Sequence, residues 1–169
     1  THARHVCAEC GRVHYVNPKV VVGCLPEWEH RILLCRRAIE PRHGLWTLPA
    51  GFMENGETLA AGAARETIEE ARARVDVGEL YTVISLPQIS QVYVMFRSRL
   101  LDLDFGPGPE SLEVRLFHED EIPWDRIAFR TIARTLRTFF LDRRDGAFPL
   151  HVSALERRAR LEPDISGAA

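Results

Sequence analysis

The sequence lacks a long apolar run. Its apolar segments, of which Val20 to Leu25 is typical, end well before the ~20 residues that a helix needs to cross a bilayer. No signal-peptide pattern opens the chain, and internal repeats and low-complexity segments are absent as well. We therefore expect a soluble, cytoplasmic protein without a membrane partner.

The sequence also lacks an excess of charge of one sign. Its 22 Lys and Arg residues are balanced by 24 Asp and Glu residues, and the formal net charge is -2. A chain of this overall charge has no general attraction for a polyanion, so DNA or RNA would need a local basic patch. We therefore expect no nucleic-acid partner.

Cysteines are scarce, and the four that are present fall in two settings. Cys24 and Cys35 lie within apolar segments, where a free thiol packs as a small hydrophobic group, so both are predicted to be core residues. Cys7 and Cys10 form a Cys-x-x-Cys pair followed by Gly11, which is typical of one half of a zinc ribbon. A tetrahedral zinc site takes four ligands, and the sequence offers no second pair of this kind.

Two interpretations of the Cys7 and Cys10 pair stay open. Since the chain begins with Thr1 rather than Met, a first Cys-x-x-Cys pair could have preceded it and would complete a zinc site. The alternative is an exposed turn with two reduced thiols. His5 and His14 are candidate substitute ligands, and zinc is therefore a candidate cofactor of this segment.

The composition, with 46% hydrophobic and 27% charged residues, is that of one globular domain with a core. Apolar segments rich in β-branched and aromatic residues predict strands, and apolar residues at helical spacing predict helices. The predicted strands are Val20–Leu25, Arg31–Arg37, Leu80–Leu86, Gln91–Leu101 and Glu113–Phe117, and the predicted helices are Glu57–Arg74 and Ile127–Phe140. This order predicts a mixed α/β domain over residues 18–145, with a partial zinc-ribbon-like segment over 1–17 and a C-terminal tail over 146–169.

The first predicted helix carries a cluster of carboxylates. Residues three and four apart share a helix face, so Glu66, Glu69 and Glu70 project together. Like charges so placed repel one another, but they become favourable around Mg²⁺ or Mn²⁺, which prefer carboxylate oxygen and also bind phosphate. The alternative is a solvated helix face whose glutamates pair with neighbouring arginines.

The residues upstream of this cluster favour the metal site. Gly51, Glu57, Arg65-Glu66 and Glu69-Glu70 have the spacing of the Nudix box, with every charged position present. The stretch from Gly51 to Ala73 thus resembles the metal-binding signature of the Nudix hydrolases. The resemblance implies an α/β/α sandwich with a mixed sheet, often a homodimer, and a Mg²⁺- or Mn²⁺-dependent hydrolase of small nucleotide substrates.

The resemblance also implies a division of roles within the box. The metal ligands would be Glu66, Glu69 and Glu70, together with Gly51, whose missing side chain lets the backbone approach the metal. Two further residues, Glu57 and Arg65, would brace the loop and the helix.

Two positions of the helix depart from the box pattern. Thr67 stands where an aliphatic residue is usual, and Arg72 stands where glycine is usual, so we expect the turn that ends the helix to differ. Both lie off the metal face, and we expect activity to survive. The N-cap is predicted at Thr58 and the inward face at Leu59, Ala63, Ile68 and Ala71.

Several glutamates are candidates for the general base. Glu69 or Glu70 could serve, and Nudix enzymes often present another glutamate from a loop before a late strand. Glu110 and Glu113 lie in such a segment, with simple surface charges as the alternative. We take Glu113 as a candidate catalytic residue and Glu110 as a candidate substrate-binding residue.

Basic and aromatic residues supply candidate substrate contacts. Arg36 and Arg37 end a predicted strand ahead of the Gly51 loop, where they could bind a diphosphate, with strand-end solvation as the alternative. Aromatic residues could form a wall for adenine or flavin, although most are expected in the core. These residues are Trp46, Phe52, Tyr93, Phe96, Phe105 and Phe129.

Segments outside the box extend the resemblance over almost the whole chain. The segments Asn17 to Cys24, Gly44 to Phe52, Gly106 to Glu113 and Asp120 to Pro123 are similar to the bacterial, zinc-ribbon-containing relatives of the plant chloroplast Nudix enzymes that hydrolyse FAD and ADP-ribose. The implied products are AMP with ribose 5-phosphate or FMN. A Nudix hydrolase for NADH or nucleoside triphosphates is one alternative, and a non-catalytic nucleotide sensor is another.

Overall fold

Ten strands and two α-helices follow one another along residues 4–156, the part of the chain that the structure, a computed structural model, describes. The strands are β1 (His5–Val6), β2 (Val13–His14), β3 (Lys19–Trp28), β4 (Arg31–Arg37), β5 (Trp46–Thr47), β6 (Ala50–Phe52), β7 (Val75–Leu86), β8 (Gln91–Leu100), β9 (Ser111–Phe117) and β10 (His151–Ala154). The helices are α1 (Leu59–Ala71) and α2 (Arg130–Asp145). No helix within these residues is long and apolar enough to cross a membrane.

Strands β3 to β10 form one mixed sheet in the order β10-β7-β8-β3-β4-β5, with β6 beside β3 and β9 beside β4. Two pairs, β3 with β8 and β7 with β10, are parallel, and the other pairs are antiparallel. The long strand β3 pairs with β8 along one edge and with β6 and then β4 along the other. It therefore brings the short strand β6, which carries Gly51, beside the centre of the sheet.

The two helices cover opposite faces of this sheet. Successive side chains of a strand point to opposite faces. On β3, Cys24 packs in the cluster that includes Ala63 of α1, whereas its neighbour Leu25 packs in the cluster that includes Leu136 of α2. On β8, Val94 packs in the cluster that includes Ala63, and its neighbour Met95 packs in the cluster that includes Leu136. The predicted α/β/α sandwich with a mixed sheet is confirmed.

The inward face of α1 consists of small residues and carboxylates. The side chain of Thr58 accepts a hydrogen bond from the Ala61 N–H, which confirms the predicted N-cap. The predicted inward positions Leu59 and Ile68 are wrong, because these side chains are 37% and 52% exposed. The predicted inward positions Ala63 and Ala71 are confirmed as buried, and the other buried residues of the helix are Gly62, Glu66, Thr67 and Glu70. An added Cβ at Gly62 would lie 2.8 Å from Val22 Cγ2, so this face is shaped for close approach to β3.

The end of α1 keeps a turn of the type that glycine favours. Arg72 has a left-handed backbone (φ 49°), and its N–H donates to the Ile68 carbonyl at 2.8 Å. Glycine usually occupies this place because it has no Cβ to strain. The prediction that Arg72 would change the turn is therefore wrong, and the arginine adopts the left-handed conformation itself.

Several boundaries differ from those predicted. Strand β7 begins at Val75 rather than Leu80, and α2 runs later than predicted because Ile127 forms a bridge with Trp46 before the helix starts. The predicted C-terminal tail contains β10, which pairs with β7. Residues 157–169, the rest of the predicted C-terminal tail, lie outside the described residues.

Candidate active site

Strand β6 places Gly51 directly against the Glu66 side chain of α1. A Cβ added at Gly51 would lie 2.3 Å from Glu66 Oε2, so a side chain here would require the Glu66 carboxylate to move. The neighbouring Ala50 N–H donates to Glu70 Oε2 at 3.1 Å. Two carboxylates of α1 therefore face the backbone of β6 at close range.

Arg65 connects the carboxylates to one another. Its Nε and Nη2 donate to the two carboxylate oxygens of Glu57 at 3.0 and 2.8 Å. Its Nη1 donates to Glu66 Oε1 at 2.8 Å and to Glu69 Oε2 at 3.0 Å. Glu57 also accepts a hydrogen bond from the Glu54 N–H at 2.7 Å. The pair of Arg65 and Glu57 thus joins the loop to α1, and hydrogen bonding to Arg65 lowers the pKa of Glu57 to about 2.

Burial dominates the electrostatics of the inward carboxylates. Glu66 and Glu70 are only 8% and 7% exposed. Burial, together with the charges of Glu66 and Glu110, raises the pKa of Glu70 to about 8 against the opposing effects of the Ala50 N–H and of Arg37. Burial also raises the pKa of Glu66, against the lowering effect of Arg65. A nearby cation would stabilise the ionised form of both groups.

The donor set fits a hard divalent cation. Glu66 and Glu70 offer carboxylate oxygens beside the backbone of Gly51, and Mg²⁺ and Mn²⁺ prefer such ligands. Within residues 4–156, however, no group of three or more His, Cys, Asp or Glu side chains is arranged to hold a metal ion. Arg65 donates to Glu66 Oε1 and to Glu69 Oε2, so a cation would compete with the guanidinium for these two oxygens.

The loop before β9 packs on the C-terminal end of α1. The N–H groups of Gly106 and Gly108 donate to the carbonyls of Ala71 and Glu70 at 2.9 and 3.0 Å, which satisfies acceptors that the helix end leaves free. A Cβ added at Gly108 would lie 1.7 Å from the Glu69 carbonyl oxygen. This contact brings Glu110 to the cluster, where its charge raises the pKa of both Glu66 and Glu70.

Glu113 lies on the other face of the sheet. Its neighbour Val114 packs in the cluster that includes Ala71 of α1, so the Glu113 side chain points toward the α2 face. There it forms an ion pair with Arg36 at 3.4 Å, the residue opposite it on β4. Of the two candidate loop glutamates, the structure therefore brings Glu110 to the carboxylate cluster, and it places Glu113 and Arg36 together away from it.

Arg37 lies close to the cluster. Burial raises the pKa of Glu70 and of Tyr93, and the charge of Arg37 opposes this rise in both. The guanidinium lies over the Phe129 ring, with Cζ 5.1 Å from the ring centroid, and its Nε donates to the Pro41 carbonyl at 2.9 Å. This contact could not be predicted from the sequence, because Arg37 and Phe129 are 92 positions apart and no motif joins them.

The aromatic candidates divide between core and surface. Trp46 and Phe96 are buried, and Phe105 packs against a buried cluster, as expected for core residues. Phe52 is 49% exposed, and the Lys19 ammonium lies 4.9 Å from its ring centroid. These two residues line a cavity of about 510 Å³ beside the loop that follows β6.

The cysteines lie where their surroundings in the sequence indicated. Cys24 and Cys35 are buried, as predicted. Cys7 and Cys10 lie in the turn between β1 and β2 as free thiols, and residues 4–156 supply no further ligands around them. The N–H groups of Cys10 and Glu9 lower the pKa of Cys7. Zinc binding by this pair stays a prediction.

The raised pKa of Glu70 predicts how stability depends on pH without a divalent cation. The folded state binds the proton of this carboxyl more tightly than the unfolded state, whose value is near 4.5. The stabilisation is therefore fully present below pH 4.5 and is lost as pH rises toward 8. We expect urea denaturation midpoints of chelator-treated protein to fall between pH 5 and 8, and to fall less in Glu70→Gln. Equal slopes for the two proteins would contradict this, since they differ only in the side chain at position 70.

Comparison with known proteins gives matches over most of the chain. Residues 17–138 match the model of the NUDIX domain. An ADP-ribose pyrophosphatase of Methanocaldococcus jannaschii is 29% identical over 119 residues, which are 68% of this chain and 69% of that protein. A NAD-capped RNA hydrolase NudC of Edwardsiella ictaluri is 40% identical over 121 residues, which are 70% of this chain and 46% of that protein. This chain thus spans about half the length of the NudC relatives that it matches over 121 residues.

Solved structures match as well. A NUDIX hydrolase from Nitrosomonas europaea has 60% sequence identity and a TM-score of 0.89, over 91% of this chain and 88% of that chain. An ADP-ribose pyrophosphatase from Streptococcus suis has a TM-score of 0.67 at 21% identity, over 80% of this chain and 99% of that chain. The second likeness concerns the fold alone, whereas the first also extends to the sequence.

Proposed function

Because this chain belongs to the Nudix family and is a Nudix hydrolase, we propose that it cleaves the pyrophosphate bond of an ADP-linked small molecule, ADP-ribose or FAD, and releases AMP. The observation that carries the proposal is the pair of buried carboxylates, Glu66 and Glu70, held against the backbone of Gly51 and Ala50. Burying two carboxylates whose pKa values are raised does not stabilise a fold, whereas a cation-dependent hydrolase needs such carboxylates to bind its cation.

Each residue near the cluster has a proposed part in the reaction. Glu66, Glu69 and Glu70 would hold Mg²⁺ or Mn²⁺, which when bound neutralises charge on the phosphate oxygens and activates water. Arg65 and Glu57 keep the loop and helix aligned through the hydrogen bonds between them. Glu110 is the loop glutamate best placed to accept a proton from water, with Glu69 and Glu70 as the other candidates.

Two names among the relatives bear on the choice of substrate. The Methanocaldococcus jannaschii relative is an ADP-ribose pyrophosphatase, which supports ADP-ribose. The NudC relatives are NAD-capped RNA hydrolases, which favours an NAD-type dinucleotide such as NADH as the second candidate. Both groups of substrates contain an ADP unit and a pyrophosphate bond, so the proposed reaction is the same.

A substrate panel tests this proposal. ADP-ribose, FAD, NADH and nucleoside triphosphates are incubated with the protein and Mg²⁺, and the products are separated by chromatography. We expect AMP from ADP-ribose or FAD, and loss of turnover after chelation of the metal. Turnover of NADH alone would transfer the proposal to the NAD-type substrate, and turnover of triphosphates alone would refute the ADP-linked class.

A further inference from the structure

The peptide group between Pro49 and Ala50 joins strand β3 to the carboxylate cluster. Its carbonyl accepts a hydrogen bond from the Cys24 N–H at 3.1 Å, and its N–H donates to Glu70 Oε2 at 3.1 Å. The group is planar and trans, so its C=O and N–H point in opposite directions. The bond of the carbonyl to β3 therefore fixes the direction of the N–H that reaches Glu70.

This N–H is the group that holds the Glu70 carboxylate in place. Arg65 donates to Glu66 and Glu69, but Glu70 accepts no hydrogen bond within residues 4–156 other than the one from Ala50. A hydrogen bond to an ionised carboxylate is stronger than one between neutral groups. It occupies Oε2 and leaves Oε1 for a cation. The orientation of Glu70 thus depends on the backbone of one peptide group.

Gly23 gives this peptide group the space to lie against β3. Gly23 is paired with Ala50 in the sheet. An added Cβ at Gly23 would lie 2.4 Å from Ala50 Cβ, 2.5 Å from the Pro49 carbonyl oxygen and 2.9 Å from Ala50 Cα. Two of these three atoms belong to the backbone, which cannot rotate away as a side chain can. A side chain at position 23 would therefore push the peptide group away from β3.

The place of Gly23 in the strand supports this interpretation. It lies inside β3, and both neighbours, Val22 and Cys24, are fully buried. Glycine weakens the interior of a strand, because it has no side chain to pack and loses more conformational freedom on folding. A glycine at such a position is typical of a close approach by another backbone segment, and here that segment is Pro49 and Ala50.

We propose that Gly23 is a positioning residue for the metal site, because it lets the Pro49–Ala50 peptide group bind β3 and so orient Glu70. The proposal rests on the proposed function, in which Glu70 holds the divalent cation. Gly23 acts through this peptide group and is not itself a ligand of the cation.

Binding of Mn²⁺ to the metal-free full chain tests the proposal apart from catalysis. Free Mn²⁺ is measured by electron paramagnetic resonance during titration of the unaltered protein, Gly23→Ala and a matched control, Cys24→Ala. We expect the dissociation constant to rise about tenfold in Gly23→Ala, because a group that orients a metal ligand is displaced. Cys24→Ala removes a buried thiol but keeps the N–H that bonds to Pro49. Its urea denaturation midpoint should fall while its Mn²⁺ affinity stays unchanged.

The double variant Gly23→Ala, Ala50→Gly keeps the test decisive if Gly23→Ala does not fold. It removes the contact between the two Cβ atoms and keeps the close contacts with the backbone. We therefore expect its dissociation constant for Mn²⁺ to lie between those of the unaltered protein and Gly23→Ala. Unchanged Mn²⁺ affinity in folded Gly23→Ala would overturn the proposal. If that variant does not fold, unchanged affinity in the double variant would do so.

Kinetics show whether Gly23 acts through the metal during turnover. With a substrate that the panel identifies, a higher Mg²⁺ concentration should restore most of the kcat that Gly23→Ala loses, while KM for the nucleotide changes less than about twofold. A loss of kcat that Mg²⁺ does not restore would show a purely structural role instead. If the unaltered protein binds Mn²⁺ but hydrolyses no nucleotide of the panel, the proposed function fails, and the Mn²⁺ titration still decides the role of Gly23. A lack of Mn²⁺ binding by the unaltered protein would refute that role.

Discussion

Glu70→Gln is expected to lower kcat by at least about 100-fold with Mg²⁺ present, because it removes a carboxylate proposed to hold the cation. The glutamine can still accept the hydrogen bond that the Ala50 N–H donates to Glu70 at 3.1 Å, so the loop should keep its place. Burial raises the pKa of Glu70 to about 8, so the neutral side chain should also make the metal-free protein more stable at pH 8. Steady-state kinetics and urea denaturation measure the two effects.

A gain in stability with a loss of activity separates this result from misfolding. The control is Glu79→Gln, which removes an exposed carboxylate of β7 and should leave both quantities unchanged. Turnover by Glu70→Gln equal to that of the unaltered protein would refute the assignment of Glu70 to the metal. A lower stability at pH 8 would show instead that the ionised carboxylate stabilises the fold.

The carboxylate cluster could be predicted because helical geometry is local. Once residues 59–71 form a helix, the spacing of Glu66 and Glu70 places both on one face, and the structure buries both. The spacing could not show whether this face packs against the sheet or faces the solvent. The larger aliphatic side chains at Leu59 and Ile68 suggested another inward face, but Gly62 and Ala63 allow α1 to approach β3 closely, and this packing decides the orientation.

The loop glutamate could not be predicted, because its place depends on contacts between distant segments. Glu110 and Glu113 are three positions apart in sequence, but the strand β9 begins between them, at Ser111. From there the alternation of the strand turns Glu113 toward Arg36 and away from α1. The stacking of Arg37 on Phe129 likewise depends on how α2 packs on the sheet, and no local sequence pattern predicts this packing.

Gly108→Ala is expected to destabilise the protein by about 2–4 kcal/mol, since an added methyl group has no room there. Its Cβ would lie 1.7 Å from the Glu69 carbonyl oxygen, and backbone atoms of α1 cannot turn aside as a side chain can. The loop must move, which breaks the hydrogen bond from the Gly108 N–H to the Glu70 carbonyl and displaces Glu110. We therefore expect a lower urea denaturation midpoint together with a lower kcat.

The same loop offers a matched control at Gly106. Its N–H donates to the Ala71 carbonyl at 2.9 Å, but an added Cβ would meet no atom within 4 Å, so alanine keeps the hydrogen bond without a clash. Gly106→Ala should therefore retain both stability and activity, although it removes a glycine from the same loop. An equal loss of stability in both variants would mean that the flexibility of the loop determines stability. It would contradict the idea that the close contact between Gly108 and the end of α1 positions Glu110.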